Sequence, residues 1–154
     1  MDESESSANS RRWLKRLIDA NKYQAHRIGE TAYEIPMRGA LRDWHIRTYL
    51  RNGWLTVTAY VMEVPDSVSQ RSAIMGRMME LNDAMPLAKF TKCNGSLTVD
   101  AGYREEHIGA EAFGNLVGLL HGLCEKHYPE LFRIASGDAA LTELQEAYER
   151  SNPA

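Results

Sequence analysis

Apolar and polar residues alternate most regularly on either side of Asn52-Gly53. An Asn-Gly pair favours a two-residue type I′ turn, because both central positions need a positive φ. This turn sets Arg51 opposite Trp54, and counting outward from that pair divides the side chains between two faces. The first face is mostly apolar and is the predicted core face: Trp44, Ile46, Thr48, Leu50, Leu55, Val57, Ala59 and Val61. The second face mixes arginines with aromatic residues: His45, Arg47, Tyr49, Arg51, Trp54, Thr56, Thr58 and Tyr60.

Four other segments carry apolar residues every three or four positions, which is the spacing of an amphipathic helix. The first is expected to begin at a cap formed by Asn9 or Ser10 and to end near Asn21. Prolines set two further ends, since the second helix is expected to stop at Pro86 and the long third helix at Pro129. A short fourth helix follows Asp138.

Short runs of alternating residues predict the remaining strands. Two short strands lie around Gly29 and Pro36, and Pro36 indicates a sheet edge or a strand end. A second hairpin turns at Asn94-Gly95, where a strict two-residue loop would set Lys92 opposite Leu97. The predicted order is one helix, four strands, one helix, two strands and two helices. This order indicates an α+β fold in which helices pack on an antiparallel sheet.

Length and composition fit one globular domain, and they indicate different structure only in the segments at the two chain ends. The 154 residues are 44% apolar and 25% charged, and no apolar run approaches the roughly 20 residues that cross a membrane. Residues 1–10 are acidic and serine-rich, so they are predicted to be a disordered tail rather than an export signal. The chain is accordingly expected in the cytoplasm with Cys93 and Cys124 reduced. Residues 11–135 form the predicted domain, and residues 136–154 a C-terminal helix and tail.

Three glycines recur every fourth residue in the third predicted helix: Gly114, Gly118 and Gly122. Each glycine inside a helix costs about 0.5–1 kcal/mol relative to alanine, so their presence suggests that another backbone approaches closely. Packing on the chain's own sheet would explain them. The equivalent helix of a second copy would explain them as well, and the three residues are therefore candidates for a dimer contact.

The same helix contains weak candidates for a metal site. His121, Cys124 and His127 fall at i, i+3 and i+6, within about a third of the helix circumference. These side chains could contact one zinc ion, but a single helix rarely supplies three ligands in good tetrahedral geometry. We find no Gly-rich phosphate loop, nucleophile elbow or paired-cysteine motif. The sequence therefore predicts no catalytic residues, no metal and no cofactor.

The second face of the first hairpin is the clearest candidate for a binding surface. Arginine and aromatic side chains are enriched at protein interfaces, and Arg51 over Trp54 would be a cation–π pair worth about 0.5–1 kcal/mol. The predicted partner contacts are Arg47, Tyr49, Arg51, Trp54 and Tyr60. A helix of the same domain could instead cover this face. Aromatic residues with arginines can also stack single-stranded RNA, although the net charge of −3 argues against a general nucleic-acid binder.

The run MMELNDAMPLAKFTKCNGSLTVDAGY, followed by a long helix that closes in HYPEL, resembles the bacterial YbjN family. With the earlier strands, the resemblance covers about residues 11–135. It implies a type III secretion chaperone-like fold, an α-β-β-β-α-β-β-α unit that commonly forms homodimers. The family consists of regulators or chaperone-like binders, and it implies no catalytic residues. The helix after Asp138 and the segment before Arg11 depart from this core pattern.

These observations predict a non-enzymatic, homodimeric protein that holds a segment of a client protein and does not enter a membrane. The first alternative is a regulatory module that binds RNA through the arginine and aromatic face. The second is a metal-dependent enzyme that uses His121, Cys124 and His127.

Overall fold

The computed structural model describes residues 3–153, with side chains from residue 5 onward. These residues form four helices and six strands in the predicted order, which confirms the α+β class. The elements are α1 (Glu3–Ala20), β1 (His26–Gly29), β2 (Ala32–Met37), β3 (Trp44–Arg51), β4 (Trp54–Glu63), α2 (Val68–Asp83), β5 (Lys89–Cys93), β6 (Ser96–Arg104), α3 (Ala110–Ser136) and α4 (Asp138–Ser151). A single 3₁₀ turn, Glu105–His107, joins β6 to α3.

The strands form one antiparallel sheet in the order β1-β2-β3-β4-β6-β5. The hairpin of β3 and β4 has the predicted register, from Arg51 opposite Trp54 to Ile46 opposite Ala59. Asn52 and Gly53 have φ values of 53° and 76°, as a type I′ turn requires. The second hairpin also has a strict two-residue loop, with Lys92 opposite Leu97.

The β3–β4 ladder is shorter than predicted at its open end. Counting outward from Arg51 and Trp54 predicts the pairs His45–Tyr60 and Trp44–Val61, and neither is part of the ladder. On its other side, β4 has an irregular register against β6 between Tyr60 and Met62. A bulge of this kind bends a strand, and a local bend of β4 here accounts for the early end of its pairing with β3.

The helices pack on the first face of the β3–β4 hairpin and bury it. Each of the eight predicted core-face residues is buried, and Trp44 is only 1% exposed. The helices supply matching apolar residues: Leu14 and Ile18 from α1, Ile74 and Met78 from α2, and Phe113, Val117 and Leu120 from α3. Burying one such side chain contributes about 1.5–3 kcal/mol, so this face determines which way the hairpin is oriented.

The third helix does not end at Pro129 as predicted. It continues to Ser136 with Pro129 inside it. A proline in a helix removes one backbone hydrogen bond, but Leu131 and Ala135 are buried beyond it and stabilise the continuation. The helix ends instead at Gly137, which has a φ of 92° and donates its backbone N–H to the carbonyl oxygen of Arg133 at 2.7 Å.

Residues 3–10 are helical and not the disordered tail that their composition suggested, because α1 begins at Glu3. Met1 and Asp2 lie outside the described residues. The division of the chain at residues 10 and 135 stays a prediction. Among residues 3–153, no helix is long and apolar enough to cross a membrane.

Candidate functional site

The second face of the sheet is open. Its aromatic residues remain accessible, with 49% of Trp54 and 40% of Tyr60 exposed, while Arg47 and Arg51 are also exposed. Within residues 3–153, no helix covers this face, because the helices pack on the opposite side. The alternative that a helix of the same domain would bury it is therefore wrong for the described chain.

Trp54 lies between two arginines, but the predicted cation–π partner is incorrect. The guanidinium group over the indole ring belongs to Arg104, at 5.1 Å from the ring centroid, rather than to Arg51. Arg51 is opposite Trp54 on β3, and Arg104 is opposite Trp54 on β6. Sequence reasoning missed Arg104 because nothing local to the β3–β4 hairpin shows that β6 lies beside β4.

Arg47 is held by an acidic neighbour. Its Nε lies 2.9 Å from Glu34 Oε2, and His45 Nδ1 lies 3.2 Å from Glu34 Oε1. The hydrogen bond to Glu34 raises the pKa of Arg47. Glu34 was not predicted as a site residue, although the alternation of Tyr33 and Ile35 around it indicates that it occupies the other face. The centre of the open face is therefore mixed in charge.

Tyr60 has a separate environment at the far end of β4. Its hydroxyl donates to Glu63 Oε1 at 3.1 Å, and burial together with that bond raises the pKa of Tyr60. The guanidinium group of Arg42 lies 5.5 Å from the Tyr60 ring centroid and 4.4 Å from that of Trp44. Tyr60 lies six positions beyond Trp54, which is about 20 Å along a strand. The five predicted contacts therefore do not form one cluster.

A polar network occupies the part of the open face formed by β4, β5 and β6. The hydroxyl groups of Thr58 and Thr91 donate to the carboxylate of Asp100, and Thr98 Oγ1 donates to Asp100 Oδ2 at 3.0 Å. These groups satisfy one another, so this part of the face offers few free donors or acceptors to a partner.

Tyr49, Arg51 and Trp54 meet at an open hollow of about 1070 Å³. The hollow lies at the end of the sheet where the β3–β4 turn and the β1–β2 turn face the first part of α1. Its other walls include Ile28 and Ala32, together with Ser6, Ser7 and Ser10 of α1. Three of the five predicted partner contacts are thus brought together in one concave site.

The three glycines of α3 have different surroundings. A side chain at Gly114 would overlap Asn21 Oδ1, and Asn21 Nδ2 donates to the carbonyl oxygen of Ala110 at 2.8 Å. Gly114 therefore permits α1 to contact α3 within one chain. Gly118 and Gly122 face open space: within the described chain, an added Cβ would meet nothing within 4 Å apart from the neighbouring backbone of its own helix, so packing on the chain's own sheet does not explain them.

The weak metal candidates do not form a common site. His121 Nε2 lies 2.7 Å from the carbonyl oxygen of Arg38. Cys124 is fully buried, and burial raises the pKa of its thiol to about 12. His127 packs edge-on against Phe90, and burial lowers the pKa of its imidazole. No group of three or more His, Cys, Asp or Glu side chains suited to a metal occurs in the described part of the chain.

A second concave surface lies between α2 and α3 and was not predicted. It has a volume of about 570 Å³ and a mostly aliphatic lining: Leu81, Met85, Leu87, Leu119 and Leu123. His127 and Lys126 lie at its edge, and Arg77 forms ion pairs there with Glu80 at 2.9 Å and with Glu130 at 2.7 Å. Its apolar residues are spread over two helices and a loop, so no single periodic pattern in the sequence indicates it.

Comparison with known proteins identifies the fold but no sequence family. No family model matches the chain, and no curated protein matches its sequence. Among solved structures, a chain of the HopA1–SchA chaperone–effector complex is 10% identical with a TM-score of 0.53, and the match covers 83% of this chain and 98% of that chain. A chain of the heterodimeric ExoU–SpcU complex from the type III secretion system of Pseudomonas aeruginosa is 14% identical with a TM-score of 0.50, over 81% of this chain and 96% of that chain.

These similarities confirm the predicted type III secretion chaperone-like fold. At 10% and 14% identity they concern the fold alone. They do not connect the chain to the YbjN family, which stays a resemblance carried by the sequence.

Proposed function

We propose that the protein is a non-enzymatic, chaperone-like module that holds a segment of a client protein against the open face of its sheet. The observation that carries this proposal is the half-exposed Trp54 on a face that the described helices leave uncovered. Covering the exposed half of a tryptophan removes roughly 100 Å² of mostly apolar surface from water, which is worth about 2.5 kcal/mol. The fold shared with chains of chaperone–effector complexes supports the same function.

The charge on the open face favours a protein partner over a nucleic acid. Glu34 pairs with Arg47, and Asp100 occupies the adjoining polar network. A polyanion would meet these carboxylates as well as the arginines, whereas a polypeptide can match both signs. We also propose that the protein acts in the bacterial cytoplasm, as its resemblance to the YbjN family of regulators or chaperone-like binders implies.

An affinity pull-down with quantitative mass spectrometry tests the client-binding proposal. The bait is the full chain, compared with a Tyr49→Ala, Trp54→Ala double variant. A matched control is Val68→Ala, Met79→Ala, which removes two α2 side chains that are 69% and 71% exposed. The first variant should lose the captured client and the control should retain it. Equal recovery by all three baits would contradict a client site on the sheet.

We further propose that the protein is a homodimer in which Gly118 and Gly122 contact a second copy. Their open surroundings leave room for another helix at close distance, and no contact within the described chain accounts for them. Light scattering should then give twice the 17.4 kDa chain mass, and Gly118→Leu should reduce it to that of one chain. Gly76→Leu is the matched control, because Gly76 on α2 also faces open space. A folded Gly118→Leu variant that keeps the wild-type mass would show that this face is not the contact.

A further inference from the structure

Arg51, Trp54 and Arg104 form a row across three neighbouring strands at the edge of the hollow. The register places Trp54 directly opposite Arg51 on one side and Arg104 on the other. Among the side chains of residues 5–153, neither arginine forms an ion pair, whereas the nearby Arg47 is paired with Glu34. Two guanidinium groups without a partner anion therefore flank one exposed indole ring.

The cation–π contact of Arg104 with Trp54 engages no anion, so this positive charge stays available to a partner. The Cζ atom of Arg104 lies over the Trp54 ring at 5.1 Å from its centroid, and the N–H groups of a guanidinium lie in its own plane and point outward. A carboxylate can accept two parallel N–H bonds from one such group, which fixes its orientation as well as its affinity. The row can therefore bind an acidic side chain directly beside an aromatic surface.

The hollow beside the row fits a bulky apolar side chain. Tyr49 and Trp54 form part of its wall, Ala32 is buried in it, and 45% of Ile28 remains exposed there. Glu30 and Glu105 also line the hollow. These two carboxylates repel any anion inside the hollow, and they repel a chain of phosphates more strongly than a single acidic side chain, which is therefore expected on the arginines and not in the hollow itself.

We propose that the Arg51–Trp54–Arg104 row and the adjoining hollow select client segments in which an acidic residue stands next to a bulky apolar residue. The acidic side chain binds the two arginines, and the apolar side chain enters the hollow against Tyr49 and Trp54. This inference rests on the proposed function and names the chemistry of its client.

Selection from a phage-displayed library of random dodecapeptides on the immobilised full chain tests the inference. Enriched peptides should combine aspartate or glutamate with an adjacent leucine, methionine or aromatic residue. A synthetic copy of an enriched peptide should bind Arg51→Glu, Arg104→Glu at least about tenfold more weakly than wild type, as expected when charge-assisted hydrogen bonds are lost. The same peptide with lysine in place of its aspartate or glutamate should bind the Arg51→Glu, Arg104→Glu variant more tightly than the original peptide does.

The matched control is Arg133→Glu, Arg150→Glu, which makes the same change in net charge at exposed positions on α3 and α4. It should bind the enriched peptide as wild type does, and circular dichroism verifies that both variants are folded. Enriched peptides without an acidic residue, or equal binding by the Arg51→Glu, Arg104→Glu variant, would overturn the inference while leaving client binding intact. Failure to enrich any peptide also overturns the inference. If polyuridine then binds the chain with an affinity that falls steeply with salt, the proposed client-binding function is overturned as well.

Discussion

Gly39 is enclosed so tightly that its replacement by alanine should destabilise the protein. The residue lies in the segment between β2 and β3, where a Cβ would overlap Glu125 Oε1 and the carbonyl oxygen of Arg42 and would lie 2.6 Å from Trp44 Nε1. The Arg42 oxygen belongs to the backbone and cannot rotate away. Introducing one carbon into such a site typically costs about 1–3 kcal/mol through displaced neighbours.

The displaced neighbours include a hydrogen-bonded link between the sheet and α3. Glu125 accepts one bond from Trp44 Nε1 at 2.5 Å and another from the backbone N–H of Ala40 at 2.9 Å. Trp44 is 1% exposed, so its N–H cannot turn to water when Glu125 moves. Leaving one buried donor without a partner costs about 1–3 kcal/mol. The steric and hydrogen-bond costs overlap, and we expect a total loss of about 2–4 kcal/mol in the free energy of unfolding.

Urea denaturation monitored by circular dichroism, with wild type and variant at equal protein concentration, measures this loss of free energy. In thermal unfolding the Tm should fall by roughly 5–15 °C. Gly76→Ala provides the opposite case: Gly76 lies on α2, outside the proposed dimer contact, and within the described chain its added Cβ would meet nothing within 4 Å. It should raise the free energy of unfolding by about 0.5–1 kcal/mol through helix propensity alone. If Gly39→Ala stays within about 0.5 kcal/mol of wild type, a size that surface substitutions reach, the enclosure described for Gly39 is refuted.

Two further predictions concern buried groups. Cys124 is fully buried with a pKa of about 12 whereas Cys93 is exposed, so an aromatic disulfide reagent should modify one thiol in the native protein and both in urea; rapid modification of both thiols in the native state would contradict this burial. Burial, and secondarily the charge of Lys126, lowers the pKa of His127 below its ordinary 6.5, so the folded state favours the neutral imidazole. The resulting stability is present above pH 6.5 and is lost as the pH falls through the lower folded pKa, so His127→Gln should flatten the decrease in unfolding free energy between about pH 7 and 5. An unchanged slope would show that His127 is not responsible.

The order of the elements and both hairpin registers could be predicted because they follow local rules. Alternation with a period of two assigns each side chain to a face, and an Asn-Gly loop sets which residues are opposite each other. The end of α3 could not be predicted in this way. Pro129 signals a stop locally, but the burial of Leu131 beyond it favours continuation, and that burial depends on the other elements.

The candidate site likewise contains some residues that local alternation predicts and others that only the assembled sheet brings together. Tyr49, Arg51 and Trp54 were predicted to share a face, and they do meet at the hollow. Their neighbours come from distant parts of the chain, since Arg104 reaches Trp54 from β6 and Glu34 reaches Arg47 from β2. Which strand lies beside which is decided when the whole sheet assembles, and local alternation contains no information about it.

The sequence by itself therefore determined which residues of each strand point to the core and which remain outside, because burial and turn geometry act on neighbours in the chain. Only the tertiary structure decided that Tyr60 is separated from Trp54. It also decided that, among residues 3–153, no helix covers the outer face and two arginines without an ion pair flank one indole. Those outcomes depend on strand order and on the side to which the helices pack, and both are determined by contacts between residues far apart in the chain.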